Sequence, residues 1–114
     1  MNLLDTGVVI DNIEEGRYSP AVISIITMLE ILRGLEEKKR SRTRQLLKES
    51  YAILGLDDNI VEVYCLIYRG LKQKGKLLPD ADLLIAATAI AHNLTLEARD
   101  EHFQRLKPFG LKIT

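Results

Sequence analysis

The sequence predicts an α/β domain of three layers, with helices on both faces of a central parallel sheet of four or five strands. Three observations carry that prediction. Short aliphatic and β-branched runs alternate with stretches of helical periodicity, and strands joined through helices imply right-handed crossovers and a parallel sheet covered on both sides. Residues 78–91 form a helix start followed by an almost unbroken apolar run, in which only Thr88 is polar after Asp82. A helix that is apolar all round belongs in a core. The length of 114 residues suits one domain, 1–114, built on one real hydrophobic core.

In order, Asn2, Leu3 and Leu4 read as a buried strand that stops at Asp5-Thr6-Gly7, before a short helix through Val8, Val9 and Ile10. Residues 16–20 are a turn. Residues 21–26 are rich in β-branched side chains, as a buried parallel strand tends to be. Thr27 and Glu30 then have the spacing of a capping box, with Thr27 as N-cap, and the helix they lead carries Leu29, Leu32 and Leu35 into the charged run 36–40. A second helix is expected over 41–50 and a third strand over 51–56, ending at Asp57-Asp58.

The next helix, 59–74, places Ile60, Val63, Tyr64, Ile67, Tyr68 and Leu71 on one face by i, i+3, i+4 spacing, and Gly75 stops it. That face offers more apolar surface than one side of a small sheet needs, and it is the expected dimer contact. In the central helix Pro79 and Asp80 are start signals, with Asp80 as the cap. Asn93, able to take the left-handed conformation, closes it. Residues 94–96 are a fourth strand, 100–106 a short helix and 111–113 a last strand.

Composition narrows the functional classes. Hydrophobic residues are 46% and charged residues 28%, with 16 basic against 16 acidic, so no overall field attracts nucleic acid or membrane. The single cysteine, Cys65, excludes an internal disulfide, fits a reducing compartment and reads as a core residue of its apolar helix. No apolar run approaches the roughly 18 residues of a membrane span and no basic, hydrophobic leader precedes Met1. The expectation is a soluble cytoplasmic protein.

The chemistry lies in the acids. In open parallel sheets ligands bind beyond the carboxyl ends of the strands. Asp5 ends the first strand, Glu30 lies one turn into the helix after the second, Asp82 opens the central helix and Asp100 follows the fourth strand. Taken singly, acids at helix starts are commonly caps. Asp82 resists that reading, because Asp80 is already placed to cap and a charge entering a core costs several kcal/mol unless paired or bound to metal. Four carboxylates at one crevice repel, and a hard divalent cation with oxygen ligands is the usual remedy. Mg²⁺ or Mn²⁺ held that way activates water and neutralises charge developing on a phosphodiester.

Leu3-Leu4-Asp5-Thr6, the block from Ser24 through Thr27 and Glu30 to Gly34, the block from Ala81 and Asp82 to Ala89, and Arg99-Asp100-Glu101-His102-Phe103 resemble, in that order, the sequence blocks of PIN-domain proteins. The resemblance spans almost the whole chain, and the bare length is most similar to the VapC-type toxins. It implies a PIN-like nuclease domain, a metal-dependent ribonuclease that cleaves single-stranded RNA with Mg²⁺ or Mn²⁺. Carried over residue by residue, it implies catalytic roles for Asp5, Glu30, Asp82 and Asp100, metal binding by Asp5, Asp82 and Asp100, and supporting hydroxyls on Thr6 and Thr27. It also implies a homodimer and a small antitoxin that wraps the toxin and blocks its site. Two positions depart from the family pattern. Gly7 stands where asparagine is common and Ala98 where threonine or serine is common, which removes polar groups around the site without touching the acids.

Other readings compete. The cations Lys38, Lys39, Arg40, Arg42, Arg44 and Lys48, with Lys72, Lys74 and Lys76, are candidates to meet RNA phosphates, although such runs are more often a solvated face. His92 suits a helix end. His102 follows Asp100 by two residues, but an exposed histidine is the commoner case. Ser24 and Ser41 lack a histidine partner for a triad, and no phosphate-binding glycine loop is present. Lys107-Pro108-Phe109 resembles the lysine motif of phospho-acceptor signalling domains, yet the acid pair Asp57-Asp58 follows the third strand rather than the first. A PIN-like RNA-processing nuclease without an antitoxin and a catalytically weakened PIN-like binding module are the remaining alternatives.

Overall fold

The computed structural model describes residues 1–114. Its five strands are β1 (Asn2–Leu4), β2 (Val22–Ser24), β3 (Ala52–Leu54), β4 (Thr95–Glu97) and β5 (Lys112–Ile113). They lie in the order β3-β2-β1-β4-β5, and every pairing is parallel. β1 is therefore central, and because successive side chains of a strand face opposite ways it feeds both cores. Leu3 joins Val22 and Leu96 on one face, while Leu4 joins Ile23 on the other. This order differs from the 2-1-3-4-5 of phospho-acceptor domains, and Lys107 is exposed at the protein surface. The signalling reading fails on both counts.

The helices α1 (Thr6–Glu15), α2 (Ile25–Leu32) and α3 (Glu37–Ser50) share a core of Val8, Val9, Met28, Leu32 and Leu47. Across the sheet, α4 (Asp58–Gln73), α5 (Asp80–Ala91) and a 3-10 helix (Glu101–Phe109) bury Ile60, Leu71, Leu83, Ile85 and Phe103. The predicted three-layer arrangement is what forms. α5 packs against α4, α2, β4 and the 3-10 helix, so the apolar pattern on all its sides has a neighbour for each. Its one mid-helix polar side chain, Thr88, is fully buried and donates its hydroxyl to the Leu84 carbonyl at 2.8 Å. Gly75 and Asn93 take positive φ of 66° and 55° just past α4 and α5, as the predicted stops require. No helix is long and apolar enough to cross a membrane.

Several expectations are corrected. The second strand ends at Ser24, whose hydroxyl accepts from the Ile26 N–H at 3.0 Å and starts α2 at Ile25, so Thr27 lies inside the helix and caps nothing. α2 stops at Leu32, and Glu36 caps α3 by accepting from the N–H of Lys39 at 2.7 Å. The helix expected over 41–50 thus begins earlier, at Glu37. Asp80 makes no capping hydrogen bond; Pro79 is the N-cap, and Asp80 instead accepts from the Tyr64 hydroxyl at 2.7 Å. That bond and burial push the Tyr64 phenol up to about 12. Cys65 is exposed rather than core.

The expected dimer face of α4 is also corrected. Ile67 and Leu71 are each 1% exposed and belong to the core, with Tyr64 and Tyr68 packed partly against it. The exposed apolar side chains of this helix are Val61 and Leu66, on the opposite side. Burial sets the stability of each position. We expect Ile85→Ala to cost about 2–5 kcal/mol in urea unfolding, the range for emptying a fully packed site. Leu66→Ala, at 60% exposure, should stay within about 0.5 kcal/mol of the wild type.

Candidate active site

Four elements deliver the four acids. Asp5 leaves the central strand, where its N–H donates to the Glu97 carbonyl at 2.9 Å and its own carbonyl accepts from Val9 as α1 begins. Its backbone is thereby pinned between β4 and α1. Asp5 occupies the N-cap position of α1 without a side-chain capping hydrogen bond, so capping alone does not account for its carboxylate. Glu30 is free of capping as well, because α2 starts five residues before it. Its Oε1 accepts from the Thr6 hydroxyl at 2.7 Å, and Thr6 Oγ1 lies 3.0 Å from Thr27 Oγ1. A hydroxyl has one hydrogen. Since Thr6 gives its hydrogen to Glu30, the buried Thr27 is the donor to Thr6, and the relay Thr27 to Thr6 to Glu30 aims one carboxylate oxygen and leaves the other free.

Asp82 sits in the first turn of α5, half-buried, with its Oδ2 3.1 Å from His102 Nε2. Asp100 is a true cap. Its Oδ1 accepts from the His102 N–H at 3.1 Å, opening the 3-10 helix, and its Oδ2 lies 3.1 Å from His102 Nδ1. His102 is thus part of the site and only 23% exposed at its side chain, which overturns the expectation of an exposed histidine. The Asp-x-His spacing was its only signal in the sequence.

The electrostatics show that these groups feel one another. Burial raises the Asp5 carboxyl above its ordinary value; Glu30 adds to the rise, while the nearby N–H groups of Thr6 and Gly7 and the His102 ring pull the other way. Burial likewise raises Asp82, His102 opposes it, and Asp5, Glu30 and Asp100 each push it further up. Half-buried, mutually repelling oxygen donors are the set that a hard divalent cation takes, so the residues fit such an ion by their chemistry. As placed, however, no three acidic or imidazole side chains stand close enough together to hold one ion.

Of the candidate cations, Lys39 lines the cleft that contains Glu30. Arg40 and Arg44 line a neighbouring groove with Ile25, Leu29 and Arg33. Lys72 stacks over Tyr68 and Lys74 over Phe109, away from the acids. His92 pairs with Asp57 at 3.8 Å. Ser24, fully buried, caps α2. The sequence reading missed the ion pair of Arg99 with Asp11, which ties the segment before Asp100 to α1; nothing in the local sequence couples two residues so far apart. A Cβ at Gly7 would lie 3.9 Å from Asp5 Oδ2, so a side chain there would touch the first acid.

The raised carboxyls fix the sign of a pH effect. A carboxyl whose folded-state pKa is raised destabilises the fold while ionised, and the penalty disappears as pH falls through that raised value. Asp5→Asn and Asp82→Asn, in chelator, should therefore be neutral or stabilising by about 1 kcal/mol or less at neutral pH, both groups keeping some access to solvent. The advantage should vanish as pH approaches the ordinary carboxylate range. Urea unfolding between pH 7 and pH 4 measures it, and a variant destabilised equally at every pH would leave these acids as structural groups only.

The PIN domain family model matches residues 3–107. Ribonuclease VapC1 of Methanocaldococcus jannaschii is 44% identical over 115 residues, covering 97% of this chain and 85% of that one. Among solved structures, VapBC-1 from nontypeable Haemophilus influenzae is 25% identical with a TM-score of 0.84, covering 99% of this chain and 96% of that one. DNA-bound VapBC from Salmonella typhimurium has the same fold at a TM-score of 0.86 and 22% identity, over 100% of this chain and 98% of its own. With the fold, the four acids and these likenesses together, the chain belongs to the PIN domain family.

Proposed function

We propose that this chain is a VapC-type endoribonuclease, the toxin of a toxin/antitoxin pair, which hydrolyses single-stranded RNA with Mg²⁺ or Mn²⁺ as cofactor. The observation that carries the reading is the convergence of four acids from four elements at one end of the sheet, where burial and then the neighbouring carboxylates raise Asp5, beside Glu30, and Asp82, beside Asp5, Glu30 and Asp100. Likeness to a curated ribonuclease at 44% identity supports the reaction class. Asp5, Asp82 and Asp100 would hold the cation, which when bound supplies a Lewis acid for water and for the phosphate's growing charge. Glu30, aimed by Thr6 through Oε1, keeps Oε2 to accept a proton. Water adds across a P–O bond: its oxygen joins phosphorus, its proton passes to Glu30, and the leaving sugar oxygen takes a proton from solvent. Lys39, in the same cleft, is placed to attract the RNA backbone.

The partner belongs to the same proposal. Similar structures are VapBC complexes, and here the cleft holding Glu30 is walled by Ile10, Ile13, Ile31 and Leu35. An apolar wall beside the acid gives a protein segment of an antitoxin a surface to cover in the same cleft. A second copy of the chain is expected on the exposed part of α4, which carries Val61 and Leu66. The catalytically weakened module keeps one observation in its favour, the absence of any side chain at Gly7 beside Asp5.

Purified protein should cleave single-stranded RNA in Mn²⁺ or Mg²⁺ and lose all cleavage in excess chelator, and Asp5→Asn, Glu30→Gln and Asp82→Asn should each lower the rate by at least about a hundredfold, a loss of roughly 2.7 kcal/mol of transition-state stabilisation. Cleavage that survives chelator, or binding without cleavage, decides against the metal nuclease. Light scattering at micromolar concentration should return a dimer mass, and Leu66→Glu a monomer; a monomeric wild type removes the dimer.

A further inference from the structure

One residue engages both oxygens of Asp100. The His102 N–H donates to Oδ1 at 3.1 Å, and the ring of the same residue brings Nδ1 to 3.1 Å from Oδ2. The other ring nitrogen, Nε2, comes to 3.1 Å from Asp82 Oδ2, yet it is buried with no hydrogen-bond partner. The ring packs edge-on against Phe103, centroids 4.7 Å apart, and Phe103 is 1% exposed. Its place is therefore set by the core as much as by the acids. An imidazole wedge separates two carboxylates that come from different elements, one at the start of α5 and one at the start of the 3-10 helix.

We infer that His102 is a positioning residue that competes with the divalent cation: its ring keeps Asp82 and Asp100 apart and swings out when the ion draws them together. The inference rests on the metal-dependent reading above and concerns how that site is filled. An ion shared by two carboxylates needs an oxygen from each at about 2.0–2.1 Å for Mg²⁺, and the ring stands against an oxygen of each. Both ring nitrogens meet the acids at 3.1 Å, Nε2 buried and without a hydrogen bond, and both contacts are given up when the ring leaves.

The wedge makes a prediction opposite to that for a supporting residue. Removing an outer group that orients metal ligands typically weakens binding by about 10–100-fold. Removing a competitor tightens it. By calorimetry, His102→Ala and His102→Asn should bind Mn²⁺ about tenfold more tightly than the wild type, a change of about 1.4 kcal/mol. In wild-type protein labelled with ¹⁵N-histidine, Mg²⁺ should move both ring-nitrogen resonances of His102 and leave those of His92 in place. This second measurement needs no variant and stands if a substitution fails to fold. Mn²⁺ binding that is unchanged or weaker in both variants, with unmoved His102 resonances, overturns the inference and leaves the nuclease reading intact. A wild type that binds no divalent ion overturns both.

Discussion

Like-charge repulsion at the carboxyl end of a small parallel sheet is the constraint on which the rest of this structure depends. Burial and then neighbouring carboxylates raise Asp5 and Asp82, with Glu30 acting on both and Asp100 on Asp82, and left to themselves these acids would move apart into water. The framework denies them that freedom by anchoring each on a different, well-packed element. β1, the central strand, fixes Asp5 through backbone bonds to β4 and α1. α5, enclosed on all sides, holds Asp82 at the edge of the core.

Small polar devices then orient what the large elements place. The Thr27–Thr6–Glu30 relay joins α1 to α2 through two hydroxyls, so the carboxylate proposed to accept a proton is aimed by residues that also fill the space between two helices. His102 does the corresponding work on the other side, spanning α5 and the 3-10 helix. The ion pair of Arg99 with Asp11 closes the ring of contacts around the site from below Asp100. Each of these links joins segments distant in the chain, and each depends on the sheet order that brings β1, β2 and β4 side by side.

The same economy explains the surface. Ile10, Ile25 and Leu29 are exposed although they lie on helices whose other sides build the core; Ile10 borders the cleft that holds Glu30, and Ile25 and Leu29 border a groove with Arg33, Arg40 and Arg44. On the proposed function, an apolar rim beside a charged centre would serve two kinds of partner, a phosphodiester met by the acids through a cation and a polypeptide that covers them.

Periodicity and composition alone determined the layers, the parallel sheet and the all-round burial of α5, because those follow from which side chains leave water. The acids were legible as a group for a related reason: each stands where a strand hands over to a helix, and in parallel sheets those junctions share one edge. What the sequence misread were choices between neighbouring possibilities of nearly equal local energy. Ser24 rather than Thr27 starts α2, and Pro79 rather than Asp80 starts α5. Cys65 turns outward on a helix whose opposite side was already filled by Ile67 and Leu71. Local propensity separates such alternatives by a fraction of a kcal/mol, and packing decides them. For His102 the sequence offered only its place two residues after Asp100, since a histidine is exposed or buried according to what the fold sets against it, and only the tertiary structure brings Asp82 from one helix and Asp100 from another to the two sides of one ring.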